Sequence, residues 1–124
     1  MESVHLIVYG TLMRGEPNSR FCRNATLISP CDIEGTLYDT GWGFPAFVPD
    51  GRGVVRAEFV VLPVADWPAI DRLENHPHLY TRRQIEAGLP GGCSEVGWVY
   101  VMNKLPARAR VIPDGKWRAR ARRK

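Results

Sequence analysis

Residues 8–18 read VYGTLMRGEPN, and this stretch ends the first strand that the sequence predicts. The run before it, VHLIVY at 4–9, consists mainly of branched apolar and aromatic residues, which is typical of a strand. The run stops at Gly10, where a ligand can approach the backbone closely because glycine has no Cβ. Such a loop can expose consecutive N–H groups that bind an anion or a polarised carbonyl oxygen. The alternative interpretation is a plain turn that leads into a short helix.

The charge of the chain is concentrated at its C-terminal end. The last seven residues, RARARRK at 118–124, hold five of the 17 lysines and arginines, and the remainder has 12 basic against 13 acidic residues. We therefore expect one domain over 1–117 and a basic, flexible tail over 118–124. A short cationic tail is typically solvated, although it can also attract RNA or an anionic surface without sequence preference. No other feature indicates nucleic-acid binding.

The remaining bulk features exclude several classes of protein. No apolar run reaches the ~20 residues that a membrane-spanning helix needs, and the N-terminal segment, MESVHLIVYG, lacks the basic start of a secretory leader. We expect a cytoplasmic protein without membrane contact. Cys22, Cys31 and Cys93 are scattered and form no CxxC pair, so free thiols are expected rather than disulfides or zinc. Nothing in the sequence indicates an oligomeric state.

The order of predicted elements is mostly β. Apolar, β-branched runs predict strands near 4–9, 25–28, 31–38, 53–62, 80–86 and 96–103, with an interruption at Pro30. A short helix is expected at 18–24, capped by Asn18 or Ser19, and a longer one in VADWPAIDRLEN at 64–75, with Asp66 as N-cap. Glycines and prolines predict loops at 41–53 and 89–95, and irregular structure at 105–117. This order favours an α+β class, a small mixed β-barrel or sheet with helices packed outside.

One carboxylate of the longer helix falls on its apolar face. At helical spacing Glu74 lies between Ile70 and Trp67, while Arg72 points the other way. A carboxylate aimed at apolar surroundings must be paired, protonated or functional, and burial raises its pKa toward the range in which it moves protons at neutral pH. The alternatives are that Glu74 bends out to water at the helix end, or that it pairs with Arg82 or Arg83.

Four stretches taken together resemble the γ-glutamylcyclotransferase-like family, which includes γ-glutamylamine cyclotransferases, AIG2-like proteins and the small bacterial YtfP-like proteins. They stand in the family's order and cover nearly the whole chain before the tail: VYGTLMRGEPN at 8–18, GTLYDTGWGFPAFV at 35–48, AIDRLENHPHLYTRR at 69–83, and VGWVYV at 96–101 with the later IPDGKW. The resemblance implies a small mixed β-barrel flanked by helices, with the site at one mouth. Two positions depart from the family pattern: Asn75 stands where many relatives have glycine, and DGKW at 114–117 replaces Ser-Gly-Asp-Trp.

The resemblance also implies an activity and its residues. The substrate is a small γ-glutamyl compound, whose α-amine attacks its own γ-carbonyl to give 5-oxoproline and a free amine. The family's catalytic glutamate corresponds to Glu74, which is expected to act as general acid and base. The substrate-binding positions are Tyr9, Gly10, Thr11 and Leu12 of the first loop, together with Tyr80 and Tyr100. No metal and no cofactor is required.

Other candidate residues have weaker support. His76 and His78 flank Pro77, but no third metal ligand is evident. Trp42, Phe44 and Phe47 are expected mainly to pack or to shape the rim, and Arg82 to pair with an acid. A second hypothesis remains open: a binding protein that has the pocket without the reaction, with the basic tail contacting RNA or another acidic partner.

Overall fold

The barrel strands provide the framework that positions the cavity. The computed structural model describes residues 2–117, so the basic segment at 118–124 lies outside the described residues. Five strands form a barrel: β1 at Ser3–Val8, β2 at Leu27–Glu34, β5 at Val54–Pro63, β6 at Tyr80–Gly88 and β7 at Ser94–Met102. The barrel closes in the order β1–β5–β2–β6–β7, in which β1 and β7 are parallel and the other neighbours are antiparallel. The predicted mixed barrel is therefore confirmed.

A second, three-stranded sheet and one α-helix lie beside the barrel. The sheet has the order β4–β3–β8, with β3 at Thr36–Asp39, β4 at Pro45–Val48 and β8 at Arg110–Val111. The helix α1 spans Trp67–Leu73 and is preceded by a 3₁₀ turn at Val64–Asp66. Two further 3₁₀ helices span Ser19–Cys22 and Pro90–Gly92. The helix α1 is the one α-helix that lies wholly within residues 2–117, and the other flanking helices there are 3₁₀ turns.

Several predicted boundaries are wrong for identifiable reasons. Pro30 does not interrupt β2, because β2 pairs with β5 along its whole length but with β6 only at Asp32, which leaves Pro30 on an unpaired side. The predicted loop at 41–53 contains β4, which pairs with β3. The segment expected to be irregular contributes the short strand β8. The helix expected at 18–24 is a single 3₁₀ turn, which is consistent with its length.

The core consists of the apolar strand residues and explains why β1 forms. Leu6, Ile7 and Val8 of β1 are each at most 2% exposed, so both faces of this strand are covered. Phe47 of β4 is fully buried and its ring packs against that of Tyr9 at a centroid distance of 5.7 Å. This contact holds the second sheet against the end of β1. The contact between Tyr9 and Phe47 therefore places β4 next to the loop that follows β1.

The two departures from the family pattern have plain conformational explanations. Asn75 follows α1 with φ of 54°, a left-handed conformation that asparagine adopts more readily than other residues except glycine. Gly115 retains a φ of +67°, and a Cβ there would lie 2.2 Å from the carbonyl oxygen of Val54. Asp114 stabilises the same turn by accepting a hydrogen bond from the N–H of Lys116. Asn75 and the DGKW segment therefore both adopt tight turns with a residue in the left-handed conformation.

Candidate active site

A cavity of about 300 Å³ opens beside the end of β1. All seven residues proposed from the sequence line it: Tyr9, Gly10, Thr11, Leu12, Glu74, Tyr80 and Tyr100. They come from the loop after β1, the C-terminal end of α1, the start of β6 and the C-terminal part of β7. The remaining lining is largely apolar and includes Phe44, Leu73 and Leu79. No lysine, arginine or histidine of the described residues contributes to this lining.

The loop after β1 turns its carbonyl groups toward the protein and leaves N–H groups unused. The carbonyl of Gly10 accepts a hydrogen bond from the N–H of Met13, and the carbonyl of Thr11 accepts one from the N–H of Asn18. The N–H groups of Gly10, Thr11 and Leu12 donate no hydrogen bond to any other residue within 2–117. Consecutive unused N–H groups form a cradle that binds anions or a developing oxyanion.

Close packing explains the glycine at the start of this loop. A Cβ at position 10 would lie 2.6 and 2.7 Å from Cγ and Cδ of Pro45 in β4. These separations are shorter than any ordinary carbon–carbon contact, so only glycine allows the loop and β4 to approach this closely. The glycine therefore serves the packing of the loop as well as its accessibility to a ligand.

Glu74 is half-buried at the C-terminal end of α1, where it is the C-cap residue. No described residue forms an ion pair or a side-chain hydrogen bond with its carboxylate; Arg82, one of the two partners considered from the sequence, pairs instead with Asp71 at 3.1 Å. Burial raises the pKa of Glu74 from 4.5 to about 7. At neutral pH this carboxyl group is therefore present in both protonation states, as proton transfer in both directions requires.

The three cavity tyrosines use their hydroxyl protons within the protein. Tyr9 donates to the carbonyl of Tyr100 at 2.6 Å, and Tyr80 donates to the carbonyl of Pro45 at 2.7 Å. Burial raises the pKa of each of the three hydroxyls above its usual value, and the Glu74 carboxylate adds to the effect. These hydroxyls stay protonated at neutral pH. Their rings form part of the cavity wall.

The contacts of Tyr100 connect the cavity wall to α1. Its hydroxyl donates to Asp71 at 2.5 Å and accepts from the indole N–H of Trp67 at 3.1 Å. The guanidinium of Arg82 lies 3.8 Å from the Trp67 ring centroid and pairs with Asp71. The expectation that Arg82 pairs with an acid is confirmed.

Sequence reasoning missed one polar residue of the cavity. The sequence predicts Asn18 as a helix cap, but its side chain makes no capping hydrogen bond and instead donates to the Thr11 hydroxyl oxygen at 3.0 Å. The capping rule considers only neighbours along the chain, whereas this contact depends on the closed loop between the two residues. Of the three rim aromatics, Phe44 lines the cavity, Trp42 is half-exposed and Phe47 lies in the core.

No helix within residues 2–117 is long and apolar enough to span a bilayer.

His76 and His78 belong to no group of three or more potential metal-ligating side chains in the same range. The ring of His76 instead lies edge-on to Tyr100 at a centroid distance of 6.4 Å.

Comparison with known proteins relates this cavity to a family of enzymes. The chain is 34% identical over 107 residues to a γ-L-glutamyl-butirosin B γ-glutamyl cyclotransferase from Niallia circulans, covering 81% of this chain and 67% of that protein. It is 30% identical over 115 residues to the γ-glutamylcyclotransferase family protein YtfP of Escherichia coli K12, covering 92% and 96% of the two chains.

A solved structure shows the same fold. The AIG2-like protein of Mus musculus superposes with a TM-score of 0.76 at 22% identity, over 86% of this chain and 82% of that one. The family model described as γ-glutamyl cyclotransferase, AIG2-like, matches residues 6–119. This match includes the loop after β1, α1 with Glu74, and the cavity-lining parts of β6 and β7. The chain therefore belongs to the AIG2-like γ-glutamyl cyclotransferase family.

Proposed function

We propose that the protein is a γ-glutamyl cyclotransferase that converts a small γ-glutamyl amide into 5-oxoproline and a free amine. The observation that carries the proposal is the position of Glu74. Its half-buried carboxyl group, with a pKa of about 7, lines the same cavity as the unused N–H groups after β1. A proton-transfer group and a hydrogen-bond cradle are the two components that this cyclisation needs.

The reaction requires that the attacking nitrogen lose two protons, because it starts as an ammonium group and ends as the lactam N–H, and that the leaving nitrogen gain them. The substrate's α-ammonium gives a proton to the Glu74 carboxylate, which frees the amine to attack the γ-carbonyl carbon. The new C–N bond closes a five-membered lactam, and the tetrahedral carbon then releases its original nitrogen. Protonated Glu74 returns the first proton to that leaving nitrogen. The regenerated carboxylate then takes the second proton from the lactam nitrogen and passes it to the released amine, which departs as an ammonium ion.

The backbone of the first loop supplies the electrostatic part of catalysis. As the amine attacks, negative charge develops on the γ-carbonyl oxygen, and the N–H groups of Gly10, Thr11 and Leu12, which no residue within 2–117 accepts, are the proposed donors to it. Such donors need no reorganisation because the turns at 10–18 already fix the loop. The largely apolar lining of the cavity disfavours hydrolysis of the same amide.

The substrate class follows from the size and charge of the cavity. A volume of about 300 Å³ is at the lower end of small-molecule sites, so a γ-glutamyl group with a modest leaving amine is the expected occupant. Glu74 provides the negative charge that attracts the α-ammonium. We further propose a cytoplasmic location, for which subcellular fractionation is the test.

The test is incubation with a panel of γ-glutamyl amines and γ-glutamyl dipeptides, followed by quantification of 5-oxoproline and the released amine. Equal amounts of the two products are expected. Glutamate in place of 5-oxoproline would identify a hydrolase, and no product from any compound would overturn the proposal. The matching α-glutamyl amides are the control, because their α-carbonyl carbon cannot form the same five-membered ring.

A further inference from the structure

Two polar side chains of the cavity have no role in the mechanism above. Thr11 and Asn18 both line the cavity, and they are joined twice. The backbone N–H of Asn18 donates to the Thr11 carbonyl at 2.8 Å, and its side-chain amide donates to the Thr11 hydroxyl oxygen at 3.0 Å. The loop between them is a series of turns, with hydrogen bonds from Met13 to Gly10 and from Glu16 to Met13. The pair is therefore held in one arrangement.

The direction of the side-chain bond determines what the pair offers to a ligand. A hydroxyl group has one hydrogen and two lone pairs, and the Asn18 amide occupies one lone pair. The Thr11 hydrogen finds no acceptor within residues 2–117 and is left to donate. The Asn18 amide likewise has a second hydrogen that no described residue accepts. Two adjacent donors suit the two oxygens of a carboxylate.

The charges of the cavity favour the same ligand. Among residues 2–117 the lining contains no cationic side chain, so a carboxylate bound there must rely on neutral donors. Glu74 is the one carboxylic acid of this described lining and attracts a cation instead. A γ-glutamyl substrate has an α-carboxylate and an α-ammonium on the same carbon, and the two kinds of polar group in this cavity distinguish them.

We infer that Thr11 and Asn18 form a neutral carboxylate site, in which Asn18 positions the Thr11 hydroxyl to donate to the substrate's α-carboxylate. This inference rests on the proposed function for the identity of the substrate. It assigns the side chains of the loop to the α-carboxylate and leaves the N–H groups of residues 10–12 to the developing oxyanion. It also makes Asn18 a positioning residue that determines specificity for substrates with an α-carboxylate.

The test combines one substitution with one change of substrate. Asn18→Asp keeps the size of the side chain but replaces its donor with an acceptor and a negative charge. For a γ-glutamyl amide, KM is expected to rise about 10- to 100-fold, the range of hydrogen bonds to charged groups, with kcat nearly unchanged. For the 4-aminobutanoyl amide of the same amine, which lacks the α-carboxylate and closes to 2-pyrrolidinone, no such rise is expected.

Three further variants separate this role from a structural one. Thr11→Val, which removes the hydroxyl, should raise KM in the same substrate-dependent way. Thr11→Ser, which keeps the hydroxyl, should have a KM close to that of the wild type. Gln84→Glu adds the same charge at an exposed position outside the cavity and should change neither constant. An Asn18→Asp enzyme with wild-type KM, or with equal losses on both substrates, would overturn the inference.

Binding measurements make the inference independent of turnover. Calorimetry should show that the wild-type protein binds 5-oxoproline at least about 10-fold more tightly than 2-pyrrolidinone, and that Asn18→Asp abolishes this preference. If no amide is turned over but the preference depends on Asn18, the proposed function fails and the carboxylate site stands. If the preference is absent, or persists in Asn18→Asp, the carboxylate site is refuted whether or not turnover occurs.

Discussion

The hydroxyl of Tyr100 donates a 2.5 Å hydrogen bond to the carboxylate of Asp71. The same carboxylate pairs with Arg82, which lies directly opposite Tyr100 in the β6–β7 register. One side chain of α1 thus contacts two neighbouring strands of the barrel. Because Glu74 lies one helical turn beyond Asp71, these contacts fix the end of α1 that carries the proposed proton-transfer group.

This arrangement predicts that the Tyr100 hydroxyl matters for stability more than for chemistry. Tyr100→Phe should lower the free energy of unfolding by about 1–2 kcal/mol, because Asp71 and Trp67 lose a hydrogen-bond partner. The kcat value should fall less than about 10-fold, below the usual range for loss of a proton-transfer group. Urea unfolding and steady-state kinetics measure the two effects. Tyr38→Phe, at a half-buried position outside the cavity, is the matched control. A loss of kcat equal to that of Glu74→Gln would instead assign Tyr100 to proton transfer.

The pKa of Glu74 predicts the pH dependence of the reaction. The carboxylate form must accept the first proton, so kcat/KM should rise as pH increases through about 7. The value refers to the free enzyme, which is the state that a kcat/KM profile reports. If kcat/KM instead rose through about pH 4.5, the usual pKa of a glutamate, Glu74 would not be desolvated in solution. Persistence of the pH dependence in the residual activity of Glu74→Gln would assign it to another group.

The same group predicts how stability depends on pH. Since the folded-state pKa of about 7 exceeds the unfolded value of 4.5, the native state holds the proton more tightly, and stability falls as pH rises between these values. Glu74→Gln should therefore stabilise the fold at pH 8, by on the order of 1–3 kcal/mol, and have little effect at pH 4.

Chemical denaturation of both proteins at the two pH values measures the effect on stability. Glu95→Gln, at an exposed position of β7, is the control and should change neither value. An equal effect of Glu74→Gln at pH 4 and pH 8 would show that the gain comes from packing rather than from the charge.

The contact between Gly10 and Pro45 predicts a cost for a single added methyl group. In Gly10→Ala the new Cβ would lie 2.6 Å from the Pro45 ring, so the loop or β4 must shift. Pro45 also accepts the hydrogen bond of Tyr80, so the shift would spread to the cavity wall. A displacement of about 1 Å typically costs about 100-fold in rate, and we expect a loss of that order in kcat/KM. Gly88→Ala, whose Cβ would meet its nearest neighbour at 3.8 Å, should remain active. Wild-type kinetics for Gly10→Ala would show that the loop tolerates displacement.

Much of the barrel could be predicted because its determinants are local. The branched residues of β1 and β5 specify strands by composition alone, and both strands lie where the sequence places them. The position of Glu74 on the apolar side follows from helical spacing and from nothing more distant. The secondary structure at these positions can be predicted because it depends on residues only a few positions away in the sequence.

The other features depend on partners that are distant in sequence. The strand β4 lies in a segment rich in glycine and proline, and it forms because β3 and the ring of Tyr9 lie beside it. The hydroxyl of Tyr80 is used by a carbonyl 35 residues away, which no local pattern indicates. The sequence neighbours of Asn18 predict a helix cap, but its side chain donates to Thr11, seven residues earlier in the chain. The side-chain hydrogen bonds of the site therefore could not be predicted from the sequence and are visible only in the three-dimensional structure.

The most direct test of the account is the formation of 5-oxoproline by wild-type protein and by Glu74→Gln from the same γ-glutamyl amide, with substrate affinity measured in parallel. We predict that Glu74→Gln lowers kcat by about 100- to 10,000-fold, the range for loss of a general acid–base group, while the amide still binds. Glu95→Gln should retain full activity. Turnover by Glu74→Gln at the wild-type rate would contradict the central claim that this carboxyl group transfers the proton.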